Sequence, residues 1–241
     1  MARSVENKLE VVLPVHNEAD SIESTIMEIH NELAAKVAIE FIISEDGSQD
    51  GTKDVLLRLR GRIPMRLIMG DERKGYSQAV IDGFNAVTAP YVLCMDSDGQ
   101  CDPADFWGLW RLRETAEIVI GWRTNRADPL FRRILSGTFK VFYRLLFRVR
   151  VHDPSCPYIL IQKPVIDRLT PELGVLSQGF WWEFLARASR CGLRIVEVPV
   201  VHRCRTAGET RVYRLGKLPG IAASHITGLV KIWLQTRRSP V

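Results

Sequence analysis

The chain of 241 residues is 46% hydrophobic and 25% charged, which suits one domain with a sizeable core and excludes a disordered chain. Its net charge of +5 conceals a split: residues 1–130 carry 14 Lys/Arg and 22 Asp/Glu, a balance of −8, and residues 131–241 carry 19 and 6, a balance of +13. A basic second half implies an anionic partner, whether membrane surface, phosphate ligand or nucleic acid.

Leu9–Pro14 is a strand stopped by its proline, and Val15–Asp20 is the loop after it. A helix over about 21–35 carries Ile22, Ile26, Ile29 and Leu33 at helical spacing. Ile39–Ile43 is the second strand; it runs into the turn-rich Ser44–Thr52, which opens a helix to about residue 60. Met65–Met69 is a short third strand. Lys74-Gly75-Tyr76 leads into a helix over 76–88, followed by the apolar run Tyr91–Met95, bounded by Ala89-Pro90. Asp96-Ser97-Asp98-Gly99-Gln100 leaves the end of that run. Asp102-Pro103 starts the next helix, and Ile118–Gly121 is a further strand.

Strands alternating with helices in this rhythm predict a parallel, doubly wound sheet. A dinucleotide-binding unit is excluded, because the loop after the first strand has no glycine. That loop and the next present Glu18 and Asp46 at the carboxyl ends of strands, the edge that also carries Asp96 and Asp98. Two carboxylates at i and i+2 suit Mg2+ or Mn2+ held together with a substrate diphosphate. The plainer reading is a solvated loop in which Asp98 caps the following helix.

Leu130–Arg150 reads as one long basic amphipathic helix. Its apolar face is Ile134, Leu135, Phe139, Phe142, Leu145, Leu146 and Val149; Arg132, Arg133, Lys140, Arg144, Arg148 and Arg150 carry the charge. Such a helix lies on a membrane surface or packs on a core with a solvated basic face. Residues 157–162 and 193–198 are strands, the latter ended by Pro199, and 178–190 is a helix. Residues 202–217 are basic and turn-rich, and 221–235 form a last helix with the stripe Ile226, Leu229, Val230, Trp233 and Leu234. The five cysteines show no CxxC spacing, the N-terminus has no apolar signal segment, and no run of about 18 apolar residues occurs. These features lead us to expect a reducing compartment and no helix that crosses a membrane by itself. His16, His152, His202 and His225 are read as surface or capping residues. Trp181-Trp182-Glu183 either lines an acceptor cleft, with Glu183 touching sugar, or packs in the core.

The segments VVLPVHNEADSIE, ISEDGSQDGT, KGYSQAVIDGF, YVLCMDSDGQCDP and GWR stand in the order of glycosyltransferase family 2. Over roughly residues 9–215 the chain resembles the polyprenyl-phosphate branch of that family, the dolichol-phosphate mannosyltransferase-like enzymes. The resemblance implies a GT-A fold: an α/β domain with a single Rossmann-like, mostly parallel sheet flanked by helices, and C-terminal amphipathic interface helices. One domain would span 1–241, its nucleotide-sugar and metal half at 9–128 and its acceptor and membrane half at 129–241. The resemblance also places Pro14, Val15 and Glu18 at the nucleotide and Asp46 against its base. It makes Asp96, Ser97, Asp98 and Gln100 the diphosphate and metal motif, with Asp98 and Gln100 on the ion and Asp96 on the donor or the ion. Arg123, Arg132 or Arg133, and Arg205 match the family's phosphate-gripping arginines, with Ser136 beside the second pair. Asp96, Asp98 and Arg205 would then be catalytic.

The expected activity is inverting transfer of a hexose from a GDP-mannose- or UDP-glucose-type donor to a polyprenyl phosphate, dependent on Mg2+ or Mn2+. It would occur at the cytoplasmic face of a membrane, where a small membrane-anchoring subunit is a candidate partner. The other readings are a saccharide or small-molecule hydroxyl acceptor, or a non-catalytic nucleotide-sugar-fold subunit. Nucleic acid is not expected as a partner, since the basic residues interleave with a helical apolar stripe and no nucleic-acid motif appears.

Overall fold

The structure is a computed structural model that describes residues 8–124, 140–203 and 218–238. The described strands form one sheet: β1 (Lys8–Val15), β2 (Ala38–Glu45), β3 (Met65–Met69), β4 (Tyr91–Cys94), β5 (Ile118–Arg123), β6 (Ile159–Gln162) and β7 (Ile195–Val200). Their spatial order is β3-β2-β1-β4-β6-β5-β7. The helices are α1 (Ile22–Leu33), α2 (Thr52–Arg60), α3 (Tyr76–Asn85), α4 (Phe106–Arg111), α5 (residues 140–147), α6 (Lys163–Leu169), α7 (Phe180–Arg190) and α8 (Leu218–Arg238).

β1 is buried from Leu9 to Val15 because helices cover both faces of the sheet, which is why it reads as an unbroken apolar run. α3 lies hard against it: a Cβ at Gly83 would sit 2.6 Å from Cγ1 of Val12. Pro199 does not end the last strand as expected. β7 continues to Val200, with Pro199 opposite Trp122, and it lies at the sheet edge where a missing N–H is tolerated. α6 is absent from the sequence reading, because seven residues with Pro164 in the first turn show no helical period.

Six strands run one way, and β6 is antiparallel to both its neighbours, β4 and β5. The register pairs Ile159, the first residue of β6, with Cys94 at the end of β4 and with Ile120 of β5. Residues 151–158 are thereby delivered to the same edge as the carboxyl ends of β1, β2 and β4.

Glu10 is a fully buried carboxylate within the apolar β1. It accepts hydrogen bonds from the N–H of Thr88 (2.7 Å) and of Ala89 (3.0 Å) and from the Thr88 hydroxyl (2.7 Å), and it pairs with Arg66. Burial raises its pKa, but the Ala89 and Thr88 donors and Arg66 outweigh that and hold it below its ordinary value. A depressed carboxylate contributes stability above its unfolded pKa and loses it as pH falls through the folded one. Glu10→Gln should therefore lower stability by about 2 kcal/mol at pH 7 and flatten the loss below about pH 5, as read by thermal melts across pH.

The amphipathic helices pack differently from their sequence patterns. α5 ends at residue 147, not 150, because Arg148 takes a left-handed conformation (φ 55°). Its buried face is Tyr143 and Phe147, the Tyr143 hydroxyl donating to the carbonyl of Trp182 (2.8 Å), while Val141 and Leu145 (77% exposed) face outward. The expected α8 stripe divides. Leu229 is buried and Trp233 half-buried, alongside Ile232, which lay outside the stripe, and Ile226, Val230 and Leu234 are exposed. Residues 130–139 of the expected long helix lie outside the described residues. Among the described residues no helix is long and apolar enough to cross a membrane.

Candidate active site

Three loops meet at the carboxyl edge of the sheet. The loop after β1 and the loop after β2 are tied together residue by residue. Asn17, held left-handed (φ 54°), donates its N–H to Oγ of Ser48 (2.8 Å) and accepts from the N–H of Gln49 (2.9 Å). The N–H of Glu18 donates to Oγ1 of Thr52 (2.9 Å), and that of Ala19 to Asp50 (3.2 Å). Asp46, 3% exposed, draws in the third loop: its carboxylate accepts from the N–H groups of Lys74 (2.6 Å) and Gly75 (2.9 Å). Gly47 (φ 68°) makes this closure possible, since a Cβ there would meet the Glu72 backbone at 2.5 Å. Expected against a base, Asp46 is thus first a clasp between loops, with part of its four-site acceptor capacity left for a ligand.

Asp96 and Asp98 leave the end of β4. Ser97 between them donates to the carbonyl of Pro14 (3.0 Å), which ties the β4 end to β1. Asp98 accepts from the N–H of Gln100 (3.1 Å) and does not cap the next helix; Asp102 does that, accepting from Ala104 (2.9 Å). Asp96 accepts from the Tyr76 hydroxyl at 3.0 Å. Burial, then the charge of Asp98, push its pKa up to about 7, against the lowering effects of Tyr76 and Arg123. A divalent cation relieves such crowding of half-buried carboxylates, and hard-oxygen sites completed by substrate phosphates need only one or two of them. The donor set therefore fits an ion, although among the described residues no group of three His, Cys, Asp or Glu stands ready to hold one.

Gln100, expected on the ion, is engaged elsewhere. Its Nε2 donates to the carbonyl of Arg203 (3.1 Å), and the N–H of Arg203 donates to the Gln100 carbonyl (2.9 Å). The side-chain oxygen is what remains for other contacts. Arg123, at the end of β5, grips Asp153 through Nε (2.6 Å) and Nη2 (3.0 Å) and donates to the Ser155 hydroxyl (2.8 Å). Burial alone would lower its pKa, but Asp153 outweighs this and raises it.

Two adjoining clefts result. The first, about 550 Å³, is lined by Pro14, Val15, His16, Asn17, Glu18, Asp46, Asp50, Arg73, Tyr76, Ala79, Asp96, Ser97 and Asp98. The second, about 780 Å³, shares Arg73, Tyr76 and Asp96 with it and adds Lys74, Arg123, Ser155, Gln178, Trp181, Trp182 and His225 among others. Pro14, Val15, Glu18, Asp46, Asp96, Ser97 and Asp98 therefore converge on one cleft, and Arg123 joins Asp96 on the other. Arg132, Arg133, Ser136 and Arg205 lie outside the described residues.

Glu183 does not face a sugar. It is fully buried, accepts from the N–H of Leu176 (2.8 Å) and pairs with Arg187 (3.0 Å), which also reaches Glu172 (2.9 Å) and Gln235 of α8 (3.0 Å). The spacing of four residues between Glu183 and Arg187 was the available signal. His16 and His225, read as surface or capping residues, line the first and second clefts. Tyr76, Asp153 and Ser155 went unread. Tyr76 follows the Lys74-Gly75 turn directly, but Asp153 and Ser155 reach the site only through the reversed strand β6.

A family model described as glycosyl transferase family 2 matches residues 10–170. The chain is 27% identical over 213 residues to the dolichol-phosphate mannosyltransferase of Pyrococcus furiosus, covering 85% of this chain and 59% of that protein. It is also 27% identical over 216 residues to the dolichol-phosphate mannosyltransferase of Saccharomyces cerevisiae, covering 84% and 80%. In fold it is similar to glucosyl-3-phosphoglycerate synthase from Mycobacterium tuberculosis, solved with Mn2+, UDP-Glc and phosphoglyceric acid; the TM-score is 0.72 at 18% identity, covering 95% of this chain and 82% of that one. The layered sheet is accordingly of the GT-A type. Because the matched span runs from β1 to the end of α6 and holds every residue lining the first cleft, the chain belongs to glycosyl transferase family 2.

Proposed function

We propose that this glycosyltransferase moves a hexose from a nucleotide-sugar donor in the first cleft to a polyprenyl-type phosphate in the second, at a membrane surface. The observation that carries the reading is the shared wall. The second cleft meets the first at Asp96, Tyr76 and Arg73, and it combines Arg73, Lys74 and Arg123 with Tyr76, Trp181 and Trp182. Cations beside aromatic rings suit an acceptor with a phosphate head and an apolar body. The relatives named for dolichol phosphate agree with it.

A phosphate monoester has its second pKa at about 6, so at neutral pH it is already an ionised nucleophile and needs no protein base. The enzyme must instead bring two anions together. Arg123, held in one geometry by Asp153 and Ser155 through Nε and Nη2, lines the second cleft as half of an ion pair, and its Nη1 is the part not engaged by those contacts. In this reading Asp96 and Asp98, with the Gln100 side-chain oxygen, would hold Mg2+ or Mn2+; when bound, the ion supplies charge stabilisation to the departing nucleotide diphosphate. Pro14, Val15, Glu18 and Asp46 position the nucleotide, and Arg132, Arg133, Ser136 and Arg205 are assigned to the phosphates from the family pattern. A single displacement inverts the anomeric carbon.

The test is radiolabelled sugar nucleotide incubated with polyprenyl phosphate and Mn2+ or Mg2+; the label should pass into organic solvent. Label that stays aqueous with every lipid tested, yet moves to 3-phosphoglycerate, would replace this reading with a soluble phosphorylated hydroxyl acceptor. That second reading is favoured by the phosphoglyceric acid bound in the similar fold.

The outward Val141 and Leu145 of α5 and Ile226, Val230 and Leu234 of α8 would rest on the lipid, with Arg144 and Lys231 toward its anionic headgroups. Leu145→Gln combined with Leu234→Gln should lower partitioning onto vesicles containing anionic lipid about tenfold, with the thermal midpoint unchanged. Unaltered partitioning would remove these faces from the membrane contact.

A further inference from the structure

The Trp181 Nε1 lies 2.9 Å from the Tyr76 hydroxyl, which lies 3.0 Å from Oδ1 of Asp96. An indole N–H can only donate, so the tyrosine oxygen accepts from Trp181 and its single proton is directed to the carboxylate. With Asp96 ionised, the chemistry of the three groups fixes the direction of the chain.

Each member is anchored. Trp181, 4% exposed, packs edge-on against Phe84, Phe180 and Phe184, with centroids at 6.4, 4.9 and 5.7 Å. Tyr76 opens α3, and Asp46 holds the two residues before it by their N–H groups. The tyrosine is thus pinned through its backbone by one loop clasp and through its hydroxyl by the wall of the second cleft. Its ring, 36% exposed, lines both clefts.

We propose that Tyr76 is a positioning residue for Asp96, and that Trp181 positions Tyr76. The hydroxyl fixes Oδ1 and leaves Oδ2 for the donor site, so the aromatic wall of the second cleft sets the carboxylate of the first. The inference rests on the proposed transfer for its kinetic consequence only; the hydrogen-bond chain is testable without it.

Tyr76→Phe removes the hydroxyl from a half-exposed ring and should leave the fold intact. With nucleotide sugar, polyprenyl phosphate and Mn2+, its kcat should fall about tenfold to a hundredfold while the donor KM moves less than about twofold. Trp181→Phe should give a smaller fall in kcat. The double variant should match Tyr76→Phe alone, because a chain in series is already broken. Fall-offs that multiply in the double variant, or a Tyr76→Phe enzyme of wild-type kcat, would overturn the proposal.

A second measurement needs no turnover. In a 15N–1H spectrum Trp181→Phe assigns the Trp181 indole cross-peak, and Tyr76→Phe should move that peak, as should Asp96→Asn through the tyrosine. A Trp181 peak indifferent to Tyr76→Phe overturns the chain, even if the wild-type protein transfers sugar to nothing tested. Absence of transfer with the peak shifts present would instead count against the proposed function alone.

Discussion

Asp98→Ala is expected to lower sugar transfer about a thousandfold or more, with little change in the thermal midpoint. The carboxylate lies in the loop beyond the end of β4, half-buried, where its Oδ1 accepts from the nearby N–H of Gln100, so its loss leaves the sheet hydrogen bonds intact. Its charge is one cause of the raised pKa of Asp96, and removing it lets Asp96 return toward the ordinary carboxylate range. Stability should hold or rise slightly while the site loses half of its cation-holding charge. Chelation should silence the wild-type protein, and added Mn2+ or Mg2+ should restore it but not the variant. Undiminished turnover in Asp98→Ala would reject the assignment of this motif.

Arg187→Ala should produce the largest loss of stability, about 3–5 kcal/mol, and lower the thermal midpoint by about 10 °C. The guanidinium is 2% exposed and bridges Glu183, Glu172 and Gln235. Its removal strands Glu183, a carboxylate with no solvent contact, whose other oxygen holds the N–H of Leu176. Replacing the pair together, as Glu183→Leu with Arg187→Met, should recover most of the loss, since no charge is then left buried. Because Leu176 adjoins Ser177 and Gln178 of the second cleft, hydrogen exchange in residues 174–179 should rise in the single variant and subside in the double. A midpoint within about 2 °C of wild type for Arg187→Ala would show that the bridge contributes nothing net.

Much of the fold was legible in the sequence for a local reason. β1, β4 and the second half of β2 are short runs buried on both faces, and each loop carrying Glu18, Asp46, Asp96 or Asp98 follows one of them directly. Parallel strands deliver their loops to one edge, so the convergence of these residues follows from order alone. Direction is not written in a four-residue apolar run, and the reversal of β6, with the arrival of Asp153 and Ser155, was therefore invisible. Partners far apart in sequence were equally hidden. Nothing local announces that Trp181 meets Tyr76, that Gln100 holds Arg203, or that the α8 stripe splits between a buried and an outward row. For Glu183 the aromatic cluster left a sugar contact and core packing both open, while its partner at i+4 pointed to the core ion pair that the structure shows.

The placement of β6 also dictates a timetable for the chain as it is made. β1 to β4 can pair as soon as they emerge, but β4 and β5 are not neighbours; the gap between them is filled only by Ile159–Gln162, well after Arg123 closes β5. Until then the open side of β4 shows bare peptide groups in the middle of what becomes the core, an edge on which another nascent chain could pair. Halting synthesis when residue 123 but not residue 159 has emerged from the ribosome should therefore raise the aggregated fraction, whereas a halt once residue 162 has emerged should not.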